Sequence, residues 1–199
     1  MTLLPPARQP PRLAVLISGS GRTLDNLLES IRDSRLAATV EVVVSSRGDV
    51  RGVRIAEAAH VPVSVVSPRG RTTAEFSQAI FGICESHQAD LVVMAGFLHL
   101  VTVPAAFAGH VINIHPSLLP AFGGKGFHGM HVHRAVLDRG CTVSGCTVHL
   151  VDDEYDHGRI LLQRTVPVLP DDTPESLAAR VFAAECEALP EAISRLAAS

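Results

Sequence analysis

Leu13-Ala-Val-Leu-Ile17, followed at once by Ser18-Gly-Ser-Gly-Arg-Thr23 and then by Leu24, Leu27, Leu28 and Ile31, decides the fold. The first five residues are a short unbroken apolar run, as expected of a strand covered on both faces. The leucines and isoleucine that follow recur three and four apart, which lines them along one side of a helix. Strand, glycine turn and helix therefore follow in that order, and the alternation repeats downstream. Strands are expected at 40–44, 63–66 and 91–94, with helices at 52–59 and 73–87 between them. Buried strands separated by helices, joined by right-handed crossovers, build a doubly wound parallel layer.

The pattern changes after a further strand at 111–114. A long Gly-rich loop leads to a short helix near 132–138, then to two alternating strands at 142–151 and 160–167 that read as an antiparallel pair. A closing helix over 174–196 carries an apolar stripe at Leu177, Val181, Ala184 and Ala188. The expected class is α/β: Rossmann-like, doubly wound, mostly parallel, with helices on both faces and an antiparallel extension in the C-terminal half. No internal repeat or linker interrupts it, so residues 13–199 read as one domain behind a disordered or extended, Pro-rich lead-in at 1–12.

Composition agrees. The 199 residues are 47% hydrophobic and only 4% aromatic, without Trp, which suits one aliphatic core. The 17 basic and 20 acidic residues, net −3, form no run that would attract a nucleic-acid backbone or an anionic membrane. No stretch reads as a signal peptide or membrane span. Cys84, Cys141, Cys146 and Cys186 lack CxxC spacing and read as reduced thiols of a cytoplasmic protein.

The glycine turn, Gly19-Ser20-Gly21-Arg22-Thr23, offers backbone N–H groups at a helix start and the charge of Arg22, a place for one small phosphate. The same glycines also serve a bare strand-to-helix turn. Dinucleotide binding is disfavoured: Leu24 stands where a third glycine is needed, and Ser45-Ser46-Arg47 where the second strand should end in an acid.

Val111-Ile-Asn-Ile-His-Pro-Ser-Leu-Leu-Pro120 puts Asn113 and His115 two residues apart, on one face of a strand near its C-terminal end. Burying such a pair demands partners or a task, and a structural Asn–His pair anchoring the loop meets that demand too. Val151-Asp-Asp-Glu-Tyr-Asp-His-Gly158 is either a solvated acidic turn or the source of a carboxylate, Asp156, for His115. His128, His131 and His133 lie close together but without Cys or carboxylate at ligand spacing, so no metal is expected.

Together, Ser18-Gly-Ser-Gly-Arg-Thr-Leu24, Met94-Ala-Gly-Phe97, Asn113-Ile-His-Pro-Ser-Leu-Leu-Pro120 and Asp156-His-Gly158 resemble the phosphoribosylglycinamide formyltransferases, folate-dependent enzymes of purine synthesis. The octapeptide is the most specific element, and the likeness runs from about residue 13 nearly to the C-terminus. The resemblance implies formyl transfer from 10-formyltetrahydrofolate, as co-substrate, to the amine of glycinamide ribonucleotide, by a monomer or homodimer. It implies that Asn113, His115 and Asp156 are catalytic and that His149 supports them. Gly19, Ser20, Gly21, Arg22, Thr23 and Glu185 would hold the amine substrate. Phe97, Leu98, His99, Leu100, Val101, Val151, Asp152 and Asp153 would line the pterin pocket.

Arg22-Thr23, His99 and Phe182 depart from residues common among relatives, and Gly123-Gly-Lys-Gly-Phe-His-Gly-Met130 is an insertion of part of the family. The departures leave the reaction class alone and bear on the acceptor. Three other readings stay open: a 10-formyltetrahydrofolate hydrolase, a formyltransferase for another amine, and a phosphate-binding module without catalysis. The first two normally bring an extra N- or C-terminal domain, for which this chain is expected to be too short.

Overall fold

A computed structural model describes residues 10–198; most of the lead-in expected at 1–12 lies outside them. Seven strands form one sheet in the order β3-β2-β1-β4-β5-β6-β7. Strands β1 (Arg12–Ile17), β2 (Thr39–Ser45), β3 (Val63–Val65), β4 (Leu91–Met94) and β5 (Val111–His115) are mutually parallel. Strands β6 (Val143–Leu150) and β7 (Ile160–Pro167) continue the sheet antiparallel, as the change of pattern predicts. The helices are α1 (Arg22–Arg32), α2 (Arg51–Ala58), α3 (Thr73–Ser86), α4 (Met130–Asp138) and α5 (Pro174–Ala197). Expected and observed boundaries differ by a residue or two. Arg12 already belongs to β1, and Thr39 N–H donates to the Pro11 carbonyl, so the sheet begins inside the expected tail.

Alternation along β1 shows why its run is unbroken. Leu13, Val15 and Ile17 pack on one face of the sheet with Leu24 and Leu27 of α1 and with Leu177 and Val181 of α5. Ala14 and Leu16 face the other side, against Phe76, Ile80 and Phe81 of α3. Both faces are covered, so neither tolerates a polar residue. Thr72 and Thr173 cap α3 and α5 by accepting from the backbone N–H groups of Glu75 and Ser176.

Strand order reverses between β1 and β4, and the crevice outside the carboxyl ends at such a point is where open α/β sheets bind ligands. Ser18 ties the crevice together: its backbone N–H donates to the Gly96 carbonyl, and its hydroxyl accepts from Leu98 N–H and from the Ser46 hydroxyl.

Candidate active site

Register builds the centre of the site. Asn113 and His115 project from the same face of β5, and antiparallel pairing sets His149 opposite Asn113 and Thr147 opposite His115. Asn113 Nδ2 lies 3.1 Å from His149 Nε2. His149 Nδ1 lies 2.7 Å from the Leu150 carbonyl, which makes Nδ1 the protonated nitrogen and Nε2 the acceptor of the Asn113 amide.

Asp156 reaches this pair from the loop between β6 and β7. Its Oδ1 accepts from Asn113 Nδ2 at 3.4 Å and sits 3.7 Å from His149 Nε2. Its Oδ2 lies 3.4 Å from His115 Nδ1 and accepts from Gly124 N–H at 2.9 Å. Two features of the loop deliver the carboxylate. Asp156 has φ 54°, a left-handed conformation that Asp tolerates better than most residues. Gly158 lies so close to β6 that a Cβ there would meet the Leu150 carbonyl at 1.9 Å. Glycine is thus required two residues after Asp156 for the chain to turn back onto the sheet.

His115 is buried, with acceptors at both ring nitrogens: Asp156 at Nδ1 and the Phe122 carbonyl, 2.8 Å from Nε2. Burial pushes its pKa below the usual histidine value, with Asp156 and the Phe122 carbonyl opposing and His149 adding to the fall. For Asp156, burial disfavours the charge, yet the neighbouring His149 and His115 rings and the Gly124 N–H outweigh it and hold the carboxyl below its usual range. The free chain therefore keeps an ionised Asp156 beside an imidazole whose charge depends on it.

Two cavities meet at this cluster. A cleft of about 540 Å³ is bordered by Arg22, Thr23, Phe97, Leu98, His115, Phe182 and Glu185. A smaller one, about 50 Å³, is bordered by His99, Leu100, Val101, His149 and Val151. Asn113, Tyr155 and Asp156 belong to both walls, so a group held in either cavity meets the same polar atoms. Arg22 lies over the Phe182 ring, 3.8 Å from its centroid, a cation–π contact that fixes the guanidinium at the cleft rim. Burial pushes the Glu185 carboxyl up to about 7, against the pull of Arg22.

Most expected site residues converge here. Gly19, Ser20 and Gly21 border neither of the two cavities. Gly21 has φ 72° and packs on α2, where a Cβ would meet the Gly52 Cα at 2.4 Å, so its glycine serves the turn whatever else it holds. Asp152 and Asp153 border neither cavity. Asp152 pairs with His157 at 2.8 Å, and Asp153 accepts from Val103 N–H at 3.1 Å, so both brace the loop that carries Asp156.

Four contributors to the site escaped the sequence reading. The backbone groups of Phe122 and Gly124 carry no side-chain signal. Tyr155 borders both cavities but reads as part of an acidic turn. His133 on α4 borders the large cleft and is only 4% exposed, and its Nδ1 has no partner among the described residues.

A family model described as formyl transferase matches residues 11–193. The chain is 40% identical over 192 residues to a chloroplastic phosphoribosylglycinamide formyltransferase of Vigna unguiculata, covering 93% of this chain and 60% of that protein. It is 40% identical over 189 residues to the trifunctional purine biosynthetic protein adenosine-3 of Bos taurus, covering 94% of this chain and 18% of that protein. It thus spans less than two thirds of the length of either relative. Among solved structures, glycinamide ribonucleotide transformylase 1 from Symbiobacterium toebii superposes with a TM-score of 0.84 at 42% identity, covering 92% of this chain and 85% of that one. Phosphoribosylglycinamide formyltransferase from Brucella melitensis gives a TM-score of 0.84 at 35% identity, covering 95% and 96%.

Proposed function

Because the chain belongs to the formyl transferase family, we propose that it transfers a formyl group from 10-formyltetrahydrofolate to the amine of glycinamide ribonucleotide, acting as one formyltransferase domain in purine synthesis. The observation that carries the reading is the shared wall: Asn113 and Asp156 separate a cleft with a cationic rim and a raised carboxyl from a mostly apolar slot. The cleft suits a phosphorylated amine, with Arg22 and Thr23 at the phosphate and Glu185 at the amine. The slot, lined by His99 to Val101 and Val151, suits the edge of a pterin, and Phe97 borders both.

In this reading the amine nitrogen attacks the formyl carbon, and the carbonyl oxygen becomes an oxyanion. His115 Nε2–H exchanges its Phe122 carbonyl acceptor for that oxygen. Asn113 gives up its longer bond, the 3.4 Å contact to Asp156, and donates to the same oxygen. Asp156 keeps the His115 charge accessible and takes the amine proton through water. Collapse of the adduct breaks the bond to the folate nitrogen, which leaves with a proton. His149 holds Asn113 in line. No helix among the described residues is long and apolar enough to cross a membrane. The free thiols at Cys84, Cys141, Cys146 and Cys186 support a reducing compartment such as the cytoplasm.

The test is turnover of 10-formyltetrahydrofolate, followed by absorbance, with and without glycinamide ribonucleotide. Deformylation that requires the ribonucleotide is expected. Turnover independent of it identifies a hydrolase, turnover with another amine only identifies a different acceptor, and no turnover leaves a binding module.

A further inference from the structure

Resting on that reading, we propose that His133 positions the amine-bearing substrate, donating a hydrogen bond from Nε2–H to one of its oxygens inside the large cleft.

His133 is one of only three histidines in the buried set, and the proposed reaction gives work to the other two, His115 and His149. It lies on α4 and reaches the cleft bordered by His115, Phe182 and Glu185. Its Nδ1 is sealed from solvent and has no hydrogen-bond partner among the described residues. Among the described residues Nε2 forms no bond either, and it is not one of the sealed atoms, so of the two ring nitrogens it is the one left to face the cleft that His133 borders.

Those facts decide the tautomer. A neutral imidazole carries one N–H and one lone pair. A sealed N–H with no acceptor loses a hydrogen bond, whereas an unsatisfied acceptor in the same place is the milder defect. The proton therefore belongs on Nε2, and Nδ1 keeps its lone pair. A second proton would put a charged N–H into the sealed pocket, next to His115, and burial and His115 both push the His133 pKa below its usual value. The ring is thus held as a neutral donor aimed into the cleft. A neutral donor suits a carbonyl or hydroxyl oxygen near the reacting amine, leaving that amine's own charge undisturbed. The cleft, not the pterin slot, is where His133 sits, so its effect belongs to the amine substrate alone.

Two measurements test this. With 15N-labelled histidine, the free protein is expected to show His133 protonated at Nε2 only, and glycinamide ribonucleotide without folate is expected to shift that proton. In kinetics, His133→Phe is expected to raise the ribonucleotide KM about tenfold, with the folate KM unchanged. His133→Gln, which keeps an N–H donor, is expected to recover most of the loss. Thermal melting of each variant separates these effects from misfolding. A proton on Nδ1, or a folded His133→Phe with unaltered ribonucleotide KM, overturns the assignment. If the wild type does not turn over the ribonucleotide, the proposed function fails. The NMR titration still judges His133 independently, because an unshifted Nε2 proton with the ribonucleotide overturns its role as well.

Discussion

At the scale of single residues, the centre of the site is a set of mutual dependences. The His115 ring is buried deeply enough to favour its neutral form, and the strongest influence opposing this is the charge of Asp156. Asp156→Asn preserves volume and the contact to His115 but removes the charge. It is expected to cut turnover by about two to four orders of magnitude. It is also expected to lower the His115 pKa further, because the influence that raised it is gone, and an NMR titration of the His115 ring reads this directly. Near-normal turnover would refute the role given to Asp156. Asn113 and His115 were legible in the sequence because strand periodicity puts residues two apart on one face. Asp156 was legible only as one carboxylate among four in its turn, and the backbone groups at Phe122 and Gly124 were not legible at all.

At the scale of elements, the loop between β6 and β7 does the positioning. Its Asp152–His157 pair and the bond from Val103 N–H to Asp153 brace it from outside, and Gly158 lets it return to the sheet. Gly158→Ala would drive a methyl group into the Leu150 carbonyl. It is expected to cost roughly 1–3 kcal/mol of stability, the range for overpacking. Because the backbone rather than a flexible side chain must yield, Asp156 is displaced with it. The expected signature is a loss of kcat larger than the fall in melting temperature accounts for, measured by kinetics and melting on one sample. An unchanged kcat would show that the Asp156 position does not depend on this approach.

At the scale of the whole molecule, α5 links stability to the site. It packs its apolar stripe beneath the sheet and carries Glu185 into the cleft wall. The native state holds the Glu185 proton up to about pH 7, while the unfolded chain releases it near the ordinary value of 4.5. Across that window the unfolded chain binds fewer protons, so this carboxyl's contribution to stability is present below about 4.5 and is lost as pH rises through about 7. Glu185→Gln removes the titration. The variant is expected to melt higher than the wild type at pH 8 and to lose that advantage at acid pH, while its ribonucleotide KM rises. Equal melting temperatures across the range would contradict the linkage.

The sequence by itself determined the architecture, since an apolar run buried on both faces admits few alternatives to a covered parallel strand. Repeated between helical stripes, such runs specify the doubly wound layer, and the shift to alternation after β5 marks the antiparallel strands. The motif around Asn113 and His115 carried the family resemblance. Tertiary structure alone decided which polar residues meet. It set His149 opposite Asn113 by strand register, turned Asp152 and Asp153 away to brace a loop, and sealed one nitrogen of His133 on the wall of the cleft. The physical reason is that periodicity reports burial, which is local and repeats along the chain. A hydrogen bond between residues 43 positions apart, such as that from Asn113 to Asp156, depends on register and backbone approach, which no local pattern encodes.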